Sequence, residues 1–339
     1  MLLHVVHVTR YRYTPWVDNA YHVVHLKPAS QPGQSLLRHS LRISPTPAQQ
    51  REVRDVYGNS CSFFSLQTSH GVLRVVADSV VCTSCARQGC DDAERSPRTA
   101  SLAVPWERVR EQFRYRAGAA YSVAWEFVFA SPYVPRDDAF TQFAQPSFTP
   151  GRPLAEAAHD LMERIYSTMV YESDSTEVNT SALAALKQGK GVCQDFAHIM
   201  VACCRAMGLP ARYVSGYMLT QPPPGKPRLI GCDASHAWAS VYCPAGHDRD
   251  GSDGAGAGQW LDFDPTNNRS PGEDYVTLAT GRDFLDVSPL RGVIRGGSRH
   301  ILQVAVTVTP IESLESLDSL ESSDSRGSRD SFTAAESLE

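Results

Sequence analysis

The chain opens with apolar residues at nearly every second position, Leu3, Val5, Val8 and Tyr11, with polar residues between them. A period of two sends alternate side chains to one face, so this stretch predicts a half-buried strand, with the slip before Val8 read as a bulge. Through residue 82 the runs "HSLRIS", "CSFFSLQT" and "GVLRVVADSVV" alternate with the turn-forming stretches "LKPASQPGQ" (26–34), "ISPTPAQ" (43–49) and "VYGNS" (56–60). Short strands about ten residues apart predict a small β-sandwich. Residues 86–100 are polar and read as a loop, and the mixture of Trp, Phe, Pro and charge over 101–152 predicts a connector with short helices.

From residue 153 the period changes. In "RPLAEAAHDLMERIYSTMVYE", Leu154, Ala158, Leu161, Ile165 and Met169 recur at helical spacing behind Pro153. Thr180 is the expected N-cap of "SALAALKQGK", which Gly189 or Gly191 ends. "CQDFAHIMVACCRAMGLP" predicts a second, apolar helix stopped by Gly208 and Pro210. Strand-like runs follow at 211–219, 236–243, 259–264 and 300–309, and helices succeeded by strands predict an α+β domain. Two low-complexity stretches stand apart. "AGHDRDGSDGAGAG" (245–258) is expected to be a mobile hairpin loop between strands. "ESLESLDSLESSDSRGSRDS" (312–331), with Leu at 314, 317 and 320, has too little apolar area to fold alone and is expected to be disordered.

The length of 339 residues and 42% hydrophobic content allow two domains with ordinary cores. The net charge of −5 is concentrated at the end: residues 312–339 carry eight acids and two Arg, a net of −6, which leaves the first 311 residues at +1. Without a Lys/Arg tract, no nucleic-acid partner is expected. "MLLHVVHVTRYRY" is broken by His, Thr and Arg, so it reads as neither a signal segment nor a membrane span, and a soluble cytoplasmic protein with no membrane partner is the expectation. The nine cysteines form no framework and are expected to be reduced thiols.

One of them sits in a chemically suggestive place. In "GKGVCQDFAH", Cys193 starts the second helix, where the helix N-terminus lowers a thiol pKa and free N–H groups can hold an oxyanion. Gly189 and Gly191 leave room for a sharp turn and for a substrate chain. Asp195 near the sulfur would oppose ionisation, so it is expected to point away and structure the turn. A base is offered by His236 in "DASHAWASVYC", on the same strand face as Trp238. "GQWLDFDPTNN" supplies the carboxylates Asp262 and Asp264, two apart and on one face, so alternation does not choose between them. A carboxylate on one imidazole nitrogen fixes the tautomer and stabilises the imidazolium that activates sulfur.

These segments, "TSALAALKQGKGVCQDFAHIMVACCRAMGLPARYVSGY", "DASHAWASVY" and "WLDFDPTNN", resemble in order the transglutaminase-like core of the papain-like cysteine enzymes. "YRYTPWVDNAYHVVHLKPASQPGQ" with "DVYGN" is similar to the bacterial N-terminal region that accompanies that core, and "ATGRDFLDVSPLRGVIRGG" to its C-terminal closure. The resemblance implies an α+β chain. It comprises an N-terminal β-sandwich-like domain (1–85), a connector (86–150), a papain-like core with its closure (151–310) and an acidic Ser-rich tail (311–339). It also implies Cys193 as nucleophile, His236 as base and Asp264 as orienting acid. The family often has a short turn where this chain carries 245–258.

The remaining motifs carry less. "CTSC" (82–85) with Cys90 is half a zinc site without a second pair. The spacings His4/His7 and His22/His25 send each pair to opposite strand faces, and all four are read as surface or half-buried residues and not as ligands. "DRDGSDG" misplaces the glycine of a calcium loop and has Gln259 where its Glu belongs, "GAGAG" is not a dinucleotide fingerprint, and "GGSRH" is not a serine elbow. Cys203 and Cys204 read as core residues. The expected function is thiol-dependent acyl transfer or hydrolysis at an amide of a protein or peptide substrate, with no cofactor and no metal. The alternatives are an inert binding scaffold and a metal held by Cys193, His236 and Asp264.

Overall fold

In the computed structural model, which describes residues 1–84, 103–117, 121–173, 175–220, 235–244 and 258–314, the first 24 residues form one long strand, β1 (Leu2–Val24). It is followed by β2 (Gln34–Ser44), β3 (Gln49–Arg54), β4 (Ser60–Leu66) and β5 (His70–Thr83). The buried face of β1 runs Leu3, Val5, His7, Thr9 without interruption, in continuous antiparallel register with β5 from Leu2 to Arg12. The bulge expected before Val8 is therefore absent. Two polar residues occupy core positions because their polar atoms are satisfied there: His7 Nε2 pairs with Thr9 Oγ1 at 3.0 Å and His7 Nδ1 with the Tyr217 hydroxyl at 2.9 Å. His22 and His25 are buried as well, contrary to the sequence expectation, and only His4 of the four is half-buried.

The first sheet has the order β2-β5-β1-β4-β3, and two late strands, β12 (Leu290–Gly296) and β13 (Arg299–Pro310), pair with β1 along its full length. The segment that the sequence grouped with the core thus completes the N-terminal sheet. The N-terminal half of β1 lies between β5 and β13 and its C-terminal half between β4 and β12. All three ribbons break at the same level: the β1 register shifts between Arg12 and Val17, residues 67–69 separate β4 from β5, and 297–298 separate β12 from β13. The result is one curled sheet enclosing a common apolar cluster that includes Leu3, Val5, Val24, Phe64, Leu66, Leu73 and Val306.

The core domain supplies the helices. The connector contributes α1 (Trp106–Gln112) and α2 (Asp138–Ala144) with a short 3₁₀ turn between them. In α3 (Leu154–Thr168), Pro153 stands at the N-cap and Leu154, Ala157, Ala158, Leu161, Met162 and Ile165 form the buried stripe that the period requires. α4 (Ala182–Gln188) is capped by Ser181, whose side chain accepts from the Ala184 N–H, one residue later than expected; Thr180 Oγ1 instead accepts from the Glu177 N–H. A two-residue parallel pair, β6 (Val170–Tyr171) and β7 (Lys190–Gly191), leads into α5 (Cys193–Ala206), which lies against a four-stranded antiparallel sheet. That sheet has the order β10 (Gln259–Phe263), β9 (Ser235–Cys243), β8 (Ala211–Met218), β11 (Tyr275–Gly281), and α6 (Phe284–Val287) follows β11.

β11 is an edge strand, yet its outer backbone groups are not exposed. The Gln34 side chain accepts from the Thr277 N–H at 2.7 Å and donates to the Thr277 carbonyl at 2.8 Å. Asn59 makes the same two-pronged contact with Thr280, at 2.8 Å each way. Side-chain amides of the N-terminal sheet thus stand where a further strand's peptides would, which satisfies the edge and fastens the two domains together. The C-terminal tail from 315 onward, the loop 245–257, the stretch 86–100 and Cys85 and Cys90 lie outside the described residues. Among the described residues no helix is long and apolar enough to cross a membrane. Asn59→Ala leaves two buried backbone groups of Thr280 unpaired, and urea unfolding is expected to show a loss of about 2–4 kcal/mol with an unchanged slope.

Candidate active site

The first helical residue of α5 is Cys193, preceded by Val192 in extended conformation at the N-cap. Two glycines make that entry feasible. Gly189 ends α4 at φ +68°, a left-handed conformation that costs a residue with a Cβ more. Gly191 is needed for space, since a Cβ there would stand 2.7 Å from both Cβ and Oδ2 of Asp195. Asp195 turns its carboxylate back over the start of the helix: Oδ2 accepts from the Val192 N–H at 2.8 Å and from the Thr176 hydroxyl at 2.6 Å. It therefore structures the turn, as half of a capping box. Burial pushes its carboxyl pKa up, against the Thr176 and Val192 hydrogen bonds. The Asp195 and Phe196 N–H groups both return to the Val192 carbonyl, which among the described residues leaves the N–H groups of Cys193 and Gln194 as the unspent donors of the first turn.

The Cys193 thiol is half-buried and lies 4.0 Å from the Ser235 carbonyl. The next residue, His236, is buried on β9, with the Cys193 sulfur close enough to act on its pKa. Its Nε2 meets Asp264 Oδ2 at 2.7 Å, which leaves Nδ1 as the ring nitrogen that Asp264 does not hold. Trp238, fully buried two residues along, lies with its ring centroid 6.2 Å from the imidazole, and the Tyr275 ring closes another side at 5.9 Å. Burial alone would lower the His236 pKa; the Asp264 hydrogen bond and the Cys193 sulfur outweigh it and raise it to about 9.

Asp264 lies just past the end of β10, in the turn that closes with backbone hydrogen bonds between Asp264 and Arg269. Asn268 takes a left-handed φ of +50° there, which Asn tolerates. Asp264 is fully buried and accepts five hydrogen bonds. Oδ1 takes the N–H groups of Thr266 (2.9 Å) and Asn267 (3.3 Å), and Oδ2 takes His236, Asn267 Nδ2 and the Tyr275 hydroxyl, each at 2.7 Å. Burial raises its pKa, but His236, Asn267 and Tyr275 together bring it below the ordinary carboxylate value. Arg269 Nε donates to the Tyr275 hydroxyl at 3.0 Å, so that the hydroxyl's own proton is directed at the carboxylate.

Three residues named from the sequence, Cys193, His236 and Asp264, thus stand in one chain of contacts. Asp262 does not join them. It sits within β10 opposite Ser240, and its charge faces Arg212 on β8. The two acids differ in their place along the sheet: Asp262 stands opposite Ser240, whereas Asp264, just past the strand end, reaches His236. Two residues that hold Asp264, Asn267 and Tyr275, were not singled out in the sequence. Asn267 lies inside the quoted "WLDFDPTNN", whereas Tyr275 arrives from the far edge of the sheet with no local signal. Cys203 and Cys204 are fully buried, and desolvation pushes Cys203 well above the usual thiol range and Cys204 up to about 12.

Comparison with known proteins bears on the family and the fold. A model of the bacterial transglutaminase-like N-terminal region matches residues 3–82, and the model of the transglutaminase-like superfamily matches residues 141–265. The uncharacterised protein Rv2569c of Mycobacterium tuberculosis is 41% identical over 310 residues, covering 91% of this chain and 92% of its own. The uncharacterised protein ML0607 of Mycobacterium leprae is 28% identical over 313 residues, covering 91% and 98%. A solved structure of a candidate cysteine protease from Cytophaga hutchinsonii matches with a TM-score of 0.66 at 20% identity over 92% of this chain and 91% of that one, a likeness of fold.

The raised pKa of His236 gives a titration with a definite sign. The folded state binds the proton more tightly than the unfolded chain, so this group's contribution to stability is complete below about 6.5 and is lost as pH rises through about 9. Ring resonances of His236 are expected to titrate with a midpoint of about 9, and the midpoint is expected to fall in Asp264→Asn, which removes the anionic partner. A midpoint unchanged by that substitution would contradict the assignment of cause.

Proposed function

This chain belongs to the transglutaminase-like superfamily, and we propose that it is a thiol-dependent enzyme that transfers or hydrolyses the acyl group of an amide. The observation that carries the proposal is the buried imidazole of His236, held by Asp264 through Nε2 at 2.7 Å, with the Cys193 sulfur acting on it from nearby. In this reading Cys193 is the nucleophile, His236 the general base and acid, and Asp264 the group that holds the imidazole in register and compensates its charge.

Proton transfer from sulfur to Nδ1 yields a thiolate–imidazolium pair. The thiolate attacks the amide carbon, and negative charge gathers on its oxygen within reach of the free N–H groups at the start of α5. His236 then protonates the departing amine, the C–N bond breaks, and a thioester to Cys193 remains. Water or a second amine attacks the thioester while His236 takes the incoming proton, and thiol and imidazole are restored. The first half-reaction is common to a protease, an amidase and an amine-transferring enzyme, so the acceptor distinguishes them.

Cys193 is half-buried whereas Cys203 and Cys204 are enclosed, so thiol reactivity is a test that distinguishes an enzyme from an inert scaffold. Iodoacetamide at neutral pH is expected to alkylate Cys193 faster than either helix cysteine, with Asp264→Asn slowing the reaction. Equal rates would remove the nucleophile assignment. The function itself is tested with a glutamine-containing protein, with and without a labelled amine. Wild type is expected to incorporate label, release ammonia or generate new termini, and Cys193→Ala to lower whichever is seen by at least about 10³-fold, as loss of a nucleophile does. Turnover that survives Cys193→Ala would exclude this mechanism.

A further inference from the structure

A second Cys, His and Asp meet in the N-terminal sheet, about as far from the first in chemistry as the same residue types allow. His25 follows the last residue of β1, Asp55 follows β3, and Cys61 lies near the start of β4, so three strands converge on one point. One ligand atom from each, a His25 ring nitrogen, an Asp55 carboxylate oxygen and the Cys61 sulfur, lies within 4.8 Å of both others. We propose that His25, Asp55 and Cys61 form a binding site for a divalent transition metal of the zinc class, with a structural role.

Each ligand is already aimed. His25 Nδ1 donates to the Ser288 carbonyl at 3.0 Å, which fixes the tautomer and leaves the lone pair of Nε2 directed at Cys61 Sγ, 3.0 Å away. A backbone carbonyl on the distal nitrogen is the ordinary support of a metal-bound imidazole. The Asp55 carboxylate is held by its own hairpin: Oδ1 accepts from the Tyr57 and Asn59 N–H groups at 2.9 and 2.8 Å, and Oδ2 from Asn59 Nδ2 at 2.7 Å. Oδ2, with a single hydrogen bond, keeps lone-pair capacity for an ion. His25 and Cys61 are only 3% and 4% exposed, while Asp55 is half-buried and leaves the fourth position to water.

The donor set selects the ion. Thiolate and imidazole favour zinc-like metals over calcium and magnesium, which take oxygen ligands. Charge balances as well: loss of the Cys61 proton to solvent gives a thiolate that, with the Asp55 carboxylate, neutralises a divalent cation in a buried place. Burial holds the free Cys61 thiol up at about 11, so without a cation it is a neutral thiol, unsuited to the nucleophilic work proposed for Cys193. The consequence would be mechanical. The ion would tie the end of β1 to the β3–β4 hairpin, the hairpin whose Asn59 holds the edge of β11.

The test uses the full chain, stripped with a chelator and titrated with Zn²⁺ and, as a spectroscopic probe, Co²⁺. One Zn²⁺ per chain is expected, with a thiolate-to-cobalt absorption band. Cys61→Ala is expected to abolish the band and to weaken Zn²⁺ binding by at least about 100-fold, and Cys193→Ala to leave both intact. Because Cys61→Ala opens a buried position, Asp55→Asn serves as a second variant. It keeps the Oδ1 hydrogen bonds, and binding about 10-fold weaker or more is expected in protein that circular dichroism shows folded. The proposal is overturned by the absence of stoichiometric Zn²⁺ binding to folded wild type. It is equally overturned by binding that persists undiminished in either folded variant, or that is lost in Cys193→Ala.

Discussion

A carboxylate taken fully out of water must be met by donors on both oxygens, and Asp264 is met by five. Much of the core is arranged around that requirement. The turn after β10 brings in the Thr266 and Asn267 N–H groups, the Asn267 side chain folds back over it, and β11 is placed so that Tyr275 reaches it from the opposite edge of the sheet. Only with those partners in place does the carboxylate stay ionised beside His236, and only an ionised partner outweighs the burial that would otherwise discharge the imidazole. A protonated imidazole near neutral pH is what a neighbouring thiol needs in order to ionise.

The position of the thiol follows from a second local constraint. The chain must leave α4, pair briefly with β6 and enter α5 within four residues, and it does so through a left-handed Gly189 and a Gly191 that has no room for a side chain. Asp195 closes the turn from the other side. An acid two residues from a nucleophilic cysteine looks unfavourable, yet its carboxylate is spent on the Val192 N–H and the Thr176 hydroxyl. The same contacts that cap the helix thereby keep the free donors of the first turn available.

The N-terminal sheet bears on this site through β11. Gln34 and Asn59 replace the missing neighbour of that edge strand, and β11 in turn carries Tyr275. The curled sheet is thus part of the support of the core, and it is itself closed by β12 and β13, which return from the far end of the chain to flank β1. His25, Asp55 and Cys61 sit at the joint of these pieces. The same three residue types thus meet twice, at the start of α5 in the core and where three strands of the N-terminal sheet converge. What differs is the surroundings: the half-buried Cys193 thiol lies near an imidazole held by Asp264, whereas the buried Cys61 thiol meets His25, whose pKa burial lowers.

Local rules carried far along this chain. The apolar period over Leu154–Ile165, the glycine stops at 189 and 208, the helix that begins at Cys193 and the strands from Ala211 to Phe263 are all legible from residue type and spacing, because each depends on interactions within a few residues. So was the order Cys193, His236, Asp264, once three motifs were taken together. Long-range pairing decided the rest. His7 and Thr9 looked like interruptions of an apolar face and prove to be part of it, since the partner that satisfies His7 is Tyr217, 210 residues away. Asp262 and Asp264 looked equivalent under alternation and are told apart by which residue of β9 each one meets, Ser240 or His236. The pairing of β12 and β13 with β1, the grip of Asn59 on Thr280 and the meeting of His25, Asp55 and Cys61 leave no periodic trace, because a side chain's partner across a sheet is chosen by register and topology and not by its neighbours in sequence.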